Sequence, residues 1–367
     1  MYLSTRRTWL YLREKQIQDN LFQISQDKIM STPLATLNSA AMPTQTAVLN
    51  SSRGKLNIET LIELSEFRSI NSPFRYAGGK FYARKLILEH IPTHTHYIEP
   101  FAGGASVFFA KPKAKYNQLN DLDSELVNVY KMIRDNPDAL ASMLTLKSLI
   151  SDRIPVSLVK GLQKTDVLPA TKKLHTFFKK TFVPETDLER AAQWYYLNRT
   201  SYSGIMNKQN MYWGYGDKFS MQPRNWGANI KRVSQKLQNI KLTSLDFEKV
   251  IDSAPDGALL FLDPPYFNAD QDKFYRCIFT KNDHYRLATC LKRNYKRLLL
   301  FITYDNSPEI RSLYAWMGEM HAKEWNYCIQ RTDDQKNGLI RKGARYKGKE
   351  LFILNYNIGK LLKTSRN

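Results

Sequence analysis

The run Ala258-Leu259-Leu260-Phe261-Leu262 ends in Asp263-Pro264-Pro265-Tyr266, and this junction narrows the possible folds more than any other stretch. Five apolar residues without alternation read as a strand buried on both faces, as in a parallel sheet covered by helices. Proline has a fixed φ and no N–H, so Pro264 and Pro265 end the strand and stiffen the turn beyond it, while their carbonyls remain acceptors. Open α/β sheets place ligands in such crevices, at the carboxyl ends of their strands. This one would offer a carboxylate, a backbone carbonyl and a flat ring. That set suits a planar substrate with an exocyclic amino group. Asp263 and the Pro264 carbonyl would accept its two N–H bonds, favour a pyramidal nitrogen and aim the lone pair at an electrophile, while Tyr266 stacks on the ring. The competing reading is a capping Asp before an ordinary turn.

The α/β pattern begins near residue 71. Phe74-Arg75-Tyr76-Ala77-Gly78-Gly79-Lys80 is a glycine-containing loop, followed by helical spacing through Leu86, Ile87 and Ile91. Tyr97-Ile98-Glu99-Pro100 ends a short strand, and Phe101-Ala102-Gly103-Gly104-Ala105-Ser106 is a tight turn opening a helix. Residues 116–120 form a second strand ending at Asp121, and a helix through Leu126, Val127, Val129, Tyr130 and Ile133 follows. This strand, glycine turn, helix, strand, acid order matches a nucleotide-binding βαβ unit. Gly103 and Asp121 are 18 positions apart, near the roughly 20 expected between a glycine turn and an acid that accepts both ribose hydroxyls. The full G-x-G-x-x-G with its phosphate cradle is missing, so the ligand is better pictured as a nucleoside without pyrophosphate. S-adenosylmethionine fits, and its sulfonium methyl is the electrophile the amine needs.

The chain carries 55 Lys and Arg against 34 Asp and Glu, a net +21. Such an excess points to a polyanionic partner, nucleic acid first and an anionic membrane second. No apolar run approaches the ~18 residues of a membrane span, and Arg13, Glu14 and Lys15 interrupt any secretory signal. Cys277, Cys290 and Cys328 are isolated thiols. They fit a reducing cytoplasm and argue against disulfides or zinc, and His94 and His96 have no matching ligand pair, so no metal is expected. Residues 31–52 contain no charge and read as a flexible linker; residues 1–30 have an irregular amphipathic pattern. Residues 141–244 hold 17 Lys and Arg, among them Lys172, Lys173, Lys179, Lys180, Arg224, Lys231 and Arg232, against 6 Asp and Glu. With interleaved aromatics (Phe177, Phe178, Trp194, Tyr195, Tyr202, Tyr212, Trp213, Tyr215), this stretch is expected to face DNA, several of the rings being core.

The segments FRYAGGK, YIEPFAGGASVFF, LNDLDSELVNVY, WYYLNRTSYSGIMNK, LTSLDF and LFLDPPYF, in that order, resemble the Dam-like family of adenine-N6 DNA methyltransferases in its alpha arrangement. The similarity covers roughly residues 71–356 and leaves the first 70 unmatched. It implies an α/β fold: a Rossmann-like S-adenosylmethionine-dependent methyltransferase sheet with an inserted helical and hairpin DNA-recognition domain. The catalytic domain would take residues 71–140 and 245–360, the recognition domain 141–244, and residues 1–70 an extension and linker. The resemblance implies that the loop from Tyr76 to Lys80 closes over the methionine end of the cofactor, with Lys80 near its carboxylate. Glu99, Phe101, Gly103 and Gly104 would cradle the cofactor, Asp121 would hold its ribose, and Asp246 and Phe247 its adenine. Asp123 competes with Asp121 for the ribose; its alternative is a helix N-cap before Ser124-Glu125.

Asp263, Pro264, Pro265 and Tyr266 become the catalytic grip on an adenine flipped out of double-stranded DNA. No general base is needed, because the nitrogen loses its proton after it becomes cationic. Arg199, Asn207, Lys208 and Tyr212 fall on the loop or hairpin expected to meet DNA. Relatives that recognise GATC carry an arginine a few residues after the glycine matching Gly204. Asn207 is nearest that place here, and a one-position shift would bring Lys208 to it. Asn prefers adenine where Arg reads guanine, which argues against GATC. A cognate restriction endonuclease is a further implied partner, in a restriction-modification or phage/host DNA modification system; no motif bears on oligomeric state. The rival readings are cytosine N4 as acceptor, and a DNA-binding regulator without catalysis.

Overall fold

Five parallel strands, β1 (His96–Glu99), β2 (Tyr116–Asn120), β3 (Ile240–Thr243), β4 (Leu259–Leu262) and β5 (Leu299–Asp305), form most of one sheet. Two further strands, β6 (Glu319–Asn326) and β7 (Lys347–Leu354), complete it in the order β3-β2-β1-β4-β5-β7-β6, with β7 antiparallel to both neighbours. The computed structural model describes residues 69–163, 166–216, 220–268, 275–326 and 347–357. The expected N-terminal extension and linker up to residue 68, and Cys328, lie outside the described residues.

Eleven α-helices fall among the described residues. They are α1 (Arg84–Leu88), α2 (Ser106–Ala110), α3 (Ser124–Asp135), α4 (Pro137–Met143), α5 (Leu149–Asp152), α6 (Lys172–Lys180), α7 (Asp187–Thr200), α8 (Trp226–Leu237), α9 (Phe247–Asp252), α10 (Lys281–Asn294) and α11 (Pro308–Leu313). Among the described residues, no helix is long and apolar enough to cross a membrane.

The central strand β4 is apolar and buried at every position because both faces are covered. Tyr97, Leu259, Phe261 and Phe301 point into one core, while Ile98, Leu260, Leu262, Leu300 and Ile302 point into the other. This is the period-two alternation of a strand with two buried faces. The first core continues through Phe108, Leu119 and Tyr130 into Trp194, Tyr195, Trp226 and Ile230. Helices α7 and α8, which fall in the stretch expected to meet DNA, thus share a core with α3 and the sheet. Phe178, Trp194 and Tyr195 are at most 4% exposed. The rings left outside are Tyr202 and Tyr212, 44% and 62% exposed.

The strands that the sequence pattern gives at 97–100, 116–120, 240–243, 258–262, 297–303 and 349–355 coincide closely with β1 to β5 and β7, but β6 has no counterpart in that pattern. Its residues, EMHAKEWN, alternate charge with small and apolar side chains. An edge strand bonded on one side only, to β7, does not need a continuous apolar run. Strand order reverses between β1 and β4: from β1 the sheet grows through β2 and β3 one way, and through β4 and β5 the other. Adjacent loops leave in opposite directions at such a point, opening a crevice at the carboxyl edge.

Candidate active site

The reversal point holds a cavity of about 530 Å³. Tyr76, Lys80, Glu99, Phe101, Gly103, Asp121, Asp246, Phe247, Asp263, Pro264, Pro265 and Tyr266 all line it. Along the carboxyl edge, the loops after β3, β2, β1 and β4 present Asp246, Asp121, Pro100-Phe101 and Asp263 in that order.

Asp263 directly succeeds β4 and is gripped from two sides. The Thr303 hydroxyl, from β5, donates to its Oδ1 at 2.8 Å. The Lys80 ammonium lies 2.6 Å from Oδ1 and 2.8 Å from Oδ2. Lys80 also donates to the Gly78 carbonyl at 3.2 Å and sits 5.0 Å from the centre of the Tyr266 ring. The family resemblance implies a place for Lys80 near the methionine carboxylate of a cofactor; in the structure its charge is directed at Asp263. Burial lowers the Lys80 pKa, but Asp263 and Glu350 outweigh burial and leave it raised. The Asp263 side chain keeps 20% exposure, so part of the carboxylate still faces the cavity. Beyond the prolines, Asp305 Oδ1 accepts the Phe267 N–H at 3.1 Å and pins the loop carrying Tyr266.

Next to it on β1, Glu99 Oε1 accepts the Tyr97 hydroxyl at 2.7 Å and the Phe108 N–H at 2.9 Å. Burial nevertheless pushes its carboxyl up to about 8, so it holds a proton at neutral pH. After β2, Asp121 Oδ2 accepts the Gly103 N–H at 2.8 Å and Oδ1 accepts the Asp123 N–H at 3.0 Å. Burial raises Asp121 to about 6. Asp123 caps α3, accepting from the Glu125 and Leu126 N–H groups, which is the N-cap alternative for it. Gly103 has φ +47°, and a Cβ there would stand 2.8 Å from Tyr76 Cε1. Its carbonyl accepts the Tyr130 hydroxyl at 2.8 Å. The glycine is therefore fixed on three sides, with the Tyr76 ring against it.

At the β3 end, Asp246 caps α9 through the Glu248 N–H at 2.9 Å. Arg286 spans Asp246, Glu248 and Asp283 at 3.1, 2.8 and 2.7 Å. Those bonds, Asp283 foremost, raise the guanidinium pKa. Phe101, Phe247 and Phe279 form an aromatic cluster with ring centres 5.5 to 5.7 Å apart. Phe279 and the neighbouring Tyr275 and Ile278 also line the cavity, and sequence reasoning missed all three. It missed Asn120 as well, which ends β2 at 1% exposure. Its amide donates to the Pro100 and Leu245 carbonyls at 3.0 and 2.9 Å. Its oxygen accepts from Thr243 Oγ1 and the Leu245 N–H at 2.8 and 2.9 Å. One side chain thus ties together the loops after β1, β2 and β3. Its position just before Asp121 was the available signal.

The region expected to meet DNA forms a hairpin after α7. Ser201 bridges Trp213 antiparallel, and the Tyr202 N–H donates to the Tyr212 carbonyl at 2.8 Å. Lys208 and Tyr212 are exposed on it. Arg199 is not: it is 6% exposed, donates to the Pro73 carbonyl at 3.4 Å, and has its pKa lowered by burial. It cannot reach a phosphate from there. Asn207 is half-buried and engaged inside the protein. Its amide donates to the Tyr275 carbonyl at 3.1 Å, and its oxygen accepts the Gln209 N–H at 2.9 Å.

A family described as D12 class N6 adenine-specific DNA methyltransferase matches residues 76–329. The type II methyltransferase M1.LlaDCHI of Lactococcus lactis subsp. cremoris is 26% identical over 77% of this chain and 95% of its own length. The type II methyltransferase M.MjaIII of Methanocaldococcus jannaschii is 28% identical over 77% of this chain and 99% of its own. The DNA adenine methylase of Vibrio cholerae is 21% identical over 72% of this chain and 91% of its own.

Proposed function

The chain belongs to the D12 class N6 adenine-specific DNA methyltransferases, and from that premise we propose that its cavity takes S-adenosylmethionine and presents a flipped-out adenine to it at Asp263. The family fixes the reaction: a methyl group goes to adenine N6 in DNA, which removes cytosine N4 as the acceptor. What carries the residue assignment is the single cavity that collects the loops after β3, β2, β1 and β4 at the reversal point. Three strand spacings separate β3 from β4, about 14 Å in all, a span suited to an extended nucleoside with an amino-acid tail.

The donor set fits that cofactor. Phe101, Phe247 and Phe279 supply flat apolar surface for its adenine beside Asp246. Asp121 keeps lone pairs for ribose hydroxyls beyond the two backbone N–H groups it accepts. When bound, the cofactor supplies a sulfonium-activated methyl group. Asp263 and the Pro264 carbonyl accept the two N–H bonds of the target amine and turn its lone pair toward that methyl. Tyr266 holds the base by stacking, offsetting part of the few kcal/mol that flipping costs. Rate enhancement then comes from positioning and fixed charge, and the proton leaves the cationic nitrogen afterwards for solvent.

The recognition part lies within residues 141–244, with the catalytic part on either side. Its outward basic residues, Lys172, Lys173, Lys180, Arg224, Lys231 and Arg232, are exposed and suit phosphate contacts. Lys208 and Tyr212 are the hairpin residues open to the duplex. Similarity to two type II methyltransferases supports work beside a cognate restriction endonuclease. A DNA substrate and isolated thiols support a cytoplasmic location. Incubation with unmethylated plasmid and labelled S-adenosylmethionine, followed by mapping of modified bases, tests the reading. N6-methyladenine at one recurring sequence is the expected product; label in cytosine, or no transfer, contradicts it.

A further inference from the structure

Asn306 directly follows β5 and lines the cavity. The strand before it meets the catalytic loop twice. The Thr303 hydroxyl donates to Asp263 Oδ1 at 2.8 Å, and Asp305 Oδ1 accepts the Phe267 N–H at 3.1 Å. Asn306 is itself held at backbone and side chain. Its N–H donates to the Lys349 carbonyl at 3.1 Å, and its Oδ1 accepts the Arg311 Nε–H at 2.7 Å. Ser307, the next residue, caps α11 through the Ile310 N–H, so the turn from β5 into α11 is fixed.

A guanidinium only donates, so the Asn306 atom that meets Arg311 is the amide oxygen, and the amide nitrogen is directed elsewhere. Among the described residues, no acceptor meets that Nδ2. Half-buried on the cavity wall, it is an oriented donor awaiting an acceptor. From Thr303, which bonds Asp263, the chain runs on three residues to Asn306, roughly 10 Å at strand spacing. Adenine fits such a span. Its N6 and N3 stand at opposite ends of the six-membered ring, about 4 Å apart, and a hydrogen bond of about 3 Å at each end completes the distance. N1 and N7 flank the amine and lie too near Asp263 for that reach.

We propose that Asn306 is a specificity-determining residue for the target base: its Nδ2 donates to N3 of the flipped adenine, while Asp263 and the Pro264 carbonyl accept from N6. This rests on the assignment of Asp263 to the amine. Arg311 is exposed; it sets the orientation of the amide and touches no substrate. A base gripped at N6 alone pivots about its amine. The second bond fixes the ring against Tyr266, and with it the direction of the nitrogen lone pair.

The test is single-turnover transfer to duplexes with adenine or 3-deazaadenine, in which C–H replaces N3, at the mapped target position. Wild type is compared with Asn306→Ala and Asn306→Asp, with cofactor affinity measured by titration and folding by thermal denaturation. Asn306→Asp keeps the bond to Arg311 and supplies the comparison if Asn306→Ala does not fold. Wild type should transfer about tenfold or more slowly to 3-deazaadenine than to adenine. Each variant should be slowed at least as much on adenine, with cofactor affinity within about threefold, and should lose nothing further on 3-deazaadenine. That non-additivity marks a bond between the two altered groups, which a purely structural role does not produce. Wild type that transfers equally to both bases overturns the proposal without any variant. So does a variant as fast as wild type on adenine, or a 3-deazaadenine loss of wild-type size in a folded variant. Wild type that methylates no adenine would instead overturn the reading of the site itself.

Discussion

Asn198 holds Arg75 with both ends of its amide: the Arg75 N–H donates to Oδ1 at 3.0 Å, and Nδ2 donates to the Arg75 carbonyl at 2.7 Å. The bond pair ties the end of α7 to the loop that carries Tyr76 and Lys80 into the cavity. Asn198 is 0% exposed, so no water can replace it. Gly204 closes the same junction, where a Cβ would stand 2.1 Å from the Arg75 carbonyl oxygen. Asn198→Leu should destabilise the protein by about 2–4 kcal/mol, since it leaves buried donor and acceptor groups unpaired. Chemical denaturation measures this; a loss below about 1 kcal/mol would mean the loop is held by other contacts.

Gly103 allows the Tyr76 ring to lie against the backbone at positive φ. Gly103→Ala puts a methyl into that ring and strains a left-handed conformation. Cofactor affinity should fall by about tenfold or more, corresponding to about 1.4 kcal/mol or more, with DNA affinity unchanged. Calorimetric titration with S-adenosylmethionine checks it, and wild-type affinity would show that the ring has room to move aside.

Glu99 links stability to pH. Its folded-state carboxyl titrates at about 8, against about 4.3 in an unfolded chain. Between those values the folded state holds a proton that the unfolded state has lost, so stability falls as pH rises through this window. Glu99→Gln removes the proton but keeps an oxygen to accept from Tyr97 and Phe108. Its melting temperature should match wild type near pH 4 and exceed it by about 5 °C at pH 8. Parallel pH profiles for the two proteins would contradict the assignment.

Strand β4 was legible because burial on both faces leaves an uninterrupted apolar run that the two prolines end. Much of the cavity lining was legible for a related reason: those residues lie at or just past a strand end or on a glycine turn, unlike the missed Tyr275, Ile278 and Phe279. Partners distant in sequence stayed hidden. Lys80 and Asp263 are 183 residues apart, and no local pattern predicts that their side chains meet. The burial of Arg199 was hidden likewise, because its neighbours Pro73 and Arg75 lie on another segment. Asn120 reads as an ordinary strand end, and its four bonds depend on loops that converge only in the fold.

Lys208 and Asn207 should separate on substitution. Lys208 is exposed on the hairpin, so Lys208→Ala should weaken DNA binding and reduce the salt-dependence slope by about one. Asn207 holds Tyr275, whose ring lines the cavity, so Asn207→Ala should act on cofactor affinity and leave the methylated sequence unchanged. Binding titrations over a salt series, with mapping of methylated sites, distinguish them. A changed target sequence in Asn207→Ala would return that residue to base reading.

Asp263→Ala tests the central claim most directly. Single-turnover transfer from S-adenosylmethionine to duplex DNA is measured beside cofactor affinity for the same protein. Transfer to adenine N6 should fall by about a thousandfold or more while cofactor affinity stays within about threefold, as expected for a group that acts on the amine in the transition state. Transfer within about tenfold of wild type, or a loss explained by weaker cofactor binding, would contradict the account.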